Sequence, residues 1–419
     1  MLYSVRTIHL KCIQHVIFRT IMCNTRKLSS GCIVHHHDVL FFQSKESKKR
    51  WQHAKLQRAN FHNTQTLHLP ALGLITVCNV LKFGAVFSGL YARRWWLNLT
   101  PEKQEQYRSW FWERSNIFFG SLGVFSLSLL TFYLTHLEED PIEKRRRFII
   151  FDKAERTALG QTIFKALLEF YKNNFIPSSD PMYSRLRKII TNIGRSNKEI
   201  FEHTEWTINI VNDPAPNAMV FSGGNVLVFS GIFDIIQNDD QLTFILAHEM
   251  SHVFLLHVPE LYSYNVLDKI IYTIPTFLIC ATLSKWLALI VYMGTRLFHN
   301  ILFTLPRKRR SETEADKVGY RLSARSCIDV REVLLFWELM DKYQDLTEAN
   351  KYIIPALRTH PSHSSRQRVL ARQTPEALKL RNQAECPELP PQDPREKLPR
   401  YLKNLEERYR DNPGISLYF

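Results

Sequence analysis

His248 and His252 are separated by three residues, and Glu249 directly follows the first, in the stretch LAHEMSHVF at 246–254. On an α-helix this spacing puts the two imidazoles about one turn apart on the same face. Both can then converge on one tetrahedral metal, while Glu249 reaches a water at that metal. This is the H-E-x-x-H pattern of a zinc-dependent hydrolytic site. The helix is predicted on separate grounds. Asp239 and Asp240 suit an N-cap or first turn, and Leu242, Ile245, Leu246, Met250 and Val253 form an apolar stripe. Glu249 is the only charge between Leu242 and Pro259. Polar groups on so apolar a helix are costly unless they are used.

Five residues match this pattern by chance in many chains, so a third ligand must decide. A metzincin-type extension would need Gly and His where Leu255 and Val258 stand. His257 lies five residues past His252, which points it off the metal face and makes it a surface or packing histidine. Further on, Glu312-Thr-Glu-Ala-Asp316 opens another helical pattern. Glu312 there can complete a His₂Glu site with water in the fourth position. Glu314 points elsewhere on that helix.

HEMSH, then ETEAD about sixty residues later, then His360-Pro361 followed by Arg366, resembles the CaaX prenyl protease/HtpX-type family of membrane metalloendopeptidases. The likeness runs from about Asn217 to Arg366 and is nearest to the family's stress-activated branch in the mitochondrial inner membrane, whose activity overlaps that of the m-AAA protease. It implies a gluzincin-type α+β fold, mainly helical, with a small β-sheet beside the H-E-x-x-H helix. It also implies one zinc ion on His248, His252 and Glu312, Glu249 as general base and His360 as oxyanion stabiliser. Asp316 and Arg366 would orient the site, and Asn217 and Ala218 would touch substrate backbone at an edge strand. A turn asparagine is the plain alternative for Asn217. The substrates implied are membrane proteins, including the dynamin-like GTPase of inner-membrane fusion, within a stress and quality-control role. The catalytic domain would face the intermembrane space, and a homo-oligomer and self-cleavage are further options.

Composition sets limits on this reading. The net charge is +15, but residues 1–60 hold eleven Lys/Arg against Asp38 and Glu46, which accounts for +9 of it. The rest is too diffuse for nucleic-acid binding, and no nucleic-acid motif accompanies it. The basic, acid-poor segment 1–65 suits a mitochondrial presequence, and His35, His36 and His37 within it are given no role. Of the seven cysteines, Cys12, Cys23, Cys32, Cys78, Cys280, Cys327 and Cys386, no pair has C-x-x-C spacing. They read as neither a disulfide framework nor a second metal site.

Residues 69–92 form an apolar run interrupted by Pro70, Asn79 and Lys82, a possible membrane-associated segment. Ile117–Thr135, nineteen residues without a charge, is the clearer transmembrane helix. Lys144–Arg147 after it balances the basic residues upstream, so charge does not set the orientation. The metallopeptidase domain is expected over 148–382. Helices are predicted at 154–173 and 183–202, a strand at Trp206–Val211, and a hairpin around Ser222-Gly223-Gly224. Within the domain, 266–305 is unusually apolar and reads as a helical hairpin on or in the membrane surface, each run being too short to span. Arg307–Arg310 reads as a solvated or lipid-facing basic run. Residues 387–419 form a Pro- and charge-rich tail with a short helix. Two other readings compete: an inactive protease fold serving as an inner-membrane scaffold or chaperone, and an endoplasmic-reticulum prenyl-protein protease.

Overall fold

The computed structural model describes residues 71–140, 142–201, 204–346 and 362–410. The basic segment 1–65, the triple-histidine tract and His360 lie outside the described residues.

The apolar runs become long helices. α1 (Ala71–Leu97) is followed by α2 (Pro101–Glu113), with Pro101 in its first turn, and by α3 (Ser115–Thr135). α3 has no buried residue, and Ile117, Phe119, Val124, Leu127 and Leu134 are all exposed. A helix apolar on every side, whose C-terminal turn packs through Phe132 and Tyr133 against Phe148, suits lipid, and 21 residues rise about 31 Å, a bilayer core. Among the described residues three helical stretches are long and apolar enough to cross a membrane: Gly73–Leu97, Ser115–Thr135 and Lys285–Arg325.

β1 (Leu137–Glu139) and β2 (Arg146–Phe148) form an antiparallel ribbon directly after α3. α4 (Lys153–Phe170) opens with a capping box between Asp152 and Glu155. α5 (Pro181–Ser196) buries Leu186, Ile189, Ile190 and Ile193, an i, i+3, i+4, i+7 face, and the one-turn α6 (Lys198–Phe201) follows. β3 (Thr207–Val211), β4 (Ala218–Phe221) and β5 (Asn225–Phe229) form one sheet in the order β3-β5-β4, β3 parallel and β4 antiparallel to β5. The β4–β5 turn needs its glycines: Gly223 and Gly224 have φ of 93° and 80°.

α7 (Asp239–Phe254) carries the H-E-x-x-H residues and packs beside edge strand β4. Its N-cap is Asn238, which accepts from Gln241 N at 3.0 Å; Asp239 and Asp240 fill the first turn. The Asp240 carboxyl is pushed up to about 6, chiefly by burial, with Asp329, Glu332 and Asp239 adding repulsion against one hydrogen bond from Asp329 N. A folded pKa above the unfolded value of about 3.9 stabilises the protein below that value, and the contribution is lost as pH rises through about 6. Asp240→Asn is therefore expected to be more stable than wild type at pH 7.5 and no more stable at pH 4. The gain is on the order of 1 kcal/mol after solvent screening of this part-exposed group, and thermal midpoints at the two pH values check it.

α8 (His257–Thr282) runs unbroken through Pro275, and α1 packs along it through Cys78, Ala85 and Gly89. α9 (Lys285–His299) continues through a π-turn at Asn300–Thr304 into α10 (Leu305–Arg325). The two runs read as too short to span are thus parts of longer helices. Their outer faces, with Trp286, Ile290, Met293, Phe298 and Phe303, are exposed. Arg307 is not simply solvated: it lies over the Tyr264 ring at 4.1 Å and pairs with Asp268 at 3.3 Å.

α11 (Glu332–Leu346), α12 (His363–Gln383) and α13 (Leu398–Arg410) close the main core, which α7 shares with α5, α10 and the sheet. One expectation is overturned here. Cys327 and Cys386 form a disulfide, with Cα atoms 5.2 Å apart. Each follows the end of one of two packed helices, α10 and α12. That juxtaposition is tertiary and leaves no trace in cysteine spacing.

Candidate metal centre

The three sequence-predicted ligands come together. Ligand atoms of His248, His252 and Glu312, all buried, lie within 4.8 Å of one another. α7 supplies the two histidines and α10 the carboxylate. The helices can approach because Gly319, seven residues after Glu312, presses on the His248 backbone; a Cβ there would lie 2.8 Å from His248 Cα.

Donor spacing tests the fit. Nε2 of His248 is 3.2 Å from Nε2 of His252 and 3.7 Å from Glu312 Oε2, and His252 Nε2 is 3.5 Å from Glu312 Oε1. Tetrahedral ligands held at zinc bond lengths stand roughly 3.3 Å apart. Hydrogen bonding points to the same conclusion. His248 Nδ1 donates to Asp316 Oδ1 at 3.1 Å. His257 Nε2 donates to Glu314 Oε2 at 3.3 Å, which leaves its Nδ1 to accept from His252 Nδ1 at 2.9 Å. Both Nε2 atoms therefore present lone pairs to the point where Glu312 brings negative charge. A cation makes that convergence favourable.

Asp316 is gripped by Arg366, whose Nε and Nη2 donate at 2.7 and 2.6 Å. Arg366 Nη1 is also 3.5 Å from Glu312 Oε2. Its guanidinium lies 3.8 Å over the Trp337 ring, and His363 stacks on the same indole at 5.4 Å. Burial works against the Arg366 charge, but Asp316, Glu312 and Glu249 outweigh it and raise its pKa.

His257 departs from the sequence reading. It is buried and lies against the metal site. Helical periodicity cannot be carried past Phe254, because Leu256 turns into the left-handed region at φ 54° and starts α8 on a new axis. That turn folds the His257 ring back to 4.8 Å from His252, and burial lowers its pKa, keeping it neutral. Glu314 also acts here. It pairs with Arg147 at 2.8 Å and Arg145 at 3.0 Å, both from the ribbon. Although burial opposes its charge, His257 and these arginines hold it near a pKa of about 2.

Comparison with known proteins agrees with this geometry. The model of "Peptidase family M48" matches residues 183–374. Metalloendopeptidase OMA1, mitochondrial, from Danio rerio is 35% identical over 78% of this chain and 69% of its own length. The chain belongs to the OMA1 family of M48 metallopeptidases. The Homo sapiens OMA1 is 31% identical over 85% of this chain and 69% of its own length. Mitochondrial metalloendopeptidase OMA1 of Saccharomyces cerevisiae is 28% identical over 61% and 74%.

Within this OMA1-family chain, β4 borders α7, and Asn217 and Ala218 sit where the strand begins. Both are buried, and neither side-chain amide atom of Asn217 has a hydrogen-bond partner among the described residues. Its carbonyl accepts from Phe229 N at 2.9 Å. Glu249, between the two histidines, is buried and is not one of the three converging donors.

Proposed function

We propose that this chain is a zinc-dependent metalloendopeptidase of the mitochondrial inner membrane that cleaves membrane proteins in stress response and quality control. The observation that carries the reading is the convergence of His248, His252 and Glu312 on one point beside an edge strand. Zinc, when bound there, supplies Lewis acidity that brings water's pKa towards neutrality. The chain's own residues do the rest. The Glu249 carboxylate takes a proton from the attacking water and hands it to the leaving amine. Asp316 keeps the His248 proton on Nδ1, and Arg366 holds Asp316 and Glu312 in place. His360 is assigned to oxyanion stabilisation. A substrate strand adds to the free edge of β4 by main-chain hydrogen bonds, and the buried, unsatisfied Asn217 amide is completed by its backbone, since such a group otherwise costs about 1–3 kcal/mol.

α1, α3 and the apolar hairpin at 266–305 are assigned to the bilayer, with the catalytic domain in the intermembrane space. The dynamin-like fusion GTPase is the substrate proposed by resemblance. The test is zinc content and cleavage of a membrane-protein substrate by the chain reconstituted in vesicles. One zinc per chain is expected, with cleavage abolished by a chelator and restored by added zinc. A chain that neither binds zinc nor cleaves is a scaffold.

A further inference from the structure

A buried chain of side chains joins the metal site to the ribbon that follows the candidate span α3. It runs from His252 to His257 at 2.9 Å and on to Glu314 at 3.3 Å. Glu314 meets Arg147 at 2.8 Å, and Arg147 reaches Glu260 at 3.0 Å and Asp140 at 2.9 Å. Beyond His252 itself, none of these groups supplies one of the three converging donors. Leu256 at φ 54° is a genuine outlier for a bulky side chain. Here it is what aims His257 at His252.

We propose that His257, oriented by Glu314, is a positioning residue for the metal ligand His252. It accepts the His252 Nδ1 proton and so keeps the Nε2 lone pair on the metal side. The direction of the chain is fixed at its far end. Glu314, held by Arg145 and Arg147, is a carboxylate that can only accept; His257 must therefore donate from Nε2 and accept at Nδ1. Asp316 does the same for His248 from the other side, so each ligand histidine has its own carboxylate-anchored partner. The H-E-x-x-H-x₄-H spacing carries the role only because the helix breaks at Leu256. The inference rests on the metal reading above.

The experiment uses the full chain in detergent micelles, in three forms: wild type, His257→Leu and His257→Asn. An asparagine Oδ1 stands near the lost Nδ1 and can accept the same proton. Zinc affinity is measured by competition with a chromophoric chelator, the ligand field by the visible spectrum of the cobalt-substituted protein, and folding by the thermal midpoint of the metal-free form. Loss of such a partner weakens metal binding about 10–100-fold. His257→Leu is expected to show that loss and an altered cobalt spectrum, and His257→Asn to recover most of both. Equal zinc affinity in wild type and His257→Leu overturns the inference while leaving the metal reading standing. Equal losses in both variants, with lowered metal-free midpoints, reduce His257 to packing and overturn it too. A wild type that binds no zinc removes the metal reading, and this inference with it.

Discussion

Exchanging Glu249 for Gln is expected to leave zinc content unchanged and to lower kcat by about 10²–10⁴-fold, the usual worth of a positioned general base. Glu249 is buried on α7 directly after His248, yet it is not one of the three donor groups that converge. The amide keeps the shape and can still hydrogen-bond, but it cannot take a proton. The loss should therefore fall on kcat, with KM little changed, because the proposed substrate contacts lie elsewhere, at β4. His252→Ala makes the contrast, since it should lose the metal and activity together. The measurement is zinc content alongside single-turnover cleavage in vesicles. Cleavage by Glu249→Gln within tenfold of wild type would remove Glu249 from the base role.

The metal ligands were legible in the sequence because their order is local: two histidines one turn apart, then a carboxylate opening a second helix. The hairpin around Ser222-Gly223-Gly224 was legible for the same reason, since positive-φ glycines between β-rich runs leave one solution. What escaped was non-local or depended on a break in periodicity. His257 was assigned by extending the α7 period across Leu256, where the chain leaves the helix. The Cys327–Cys386 pairing needs α10 and α12 side by side. Arg145 and Arg147 entered the sequence reading as charges flanking a span. Their ion pairs inside the domain remove them from any count that orients the membrane segment. His363 and Trp337 lie 26 residues apart in sequence, and only the stacked arrangement under Arg366 joins them.

Replacing Arg147 with Met is expected to destabilise the fold by about 3–5 kcal/mol, the cost of breaking a buried ion pair from one side. The guanidinium is almost fully buried and serves Asp140, Glu260 and Glu314 together. Methionine fills similar volume and satisfies none of them. Arg145 remains, but it already bonds Glu260 and Glu314, so three carboxylates would share one cation. Much of the penalty should come from those stranded carboxylates, so adding Glu314→Gln should return part of the loss, a non-additivity that a double-mutant cycle detects. Additive losses in thermal or denaturant unfolding would mean that Arg147 and Glu314 act independently. The consequence reaches the metal. Arg147 is one of two arginines holding Glu314, and Glu314 orients His257. Arg147→Met should therefore also weaken zinc binding, although it touches no ligand, and a loss confined to stability would show that the ribbon anchors the domain without positioning its site.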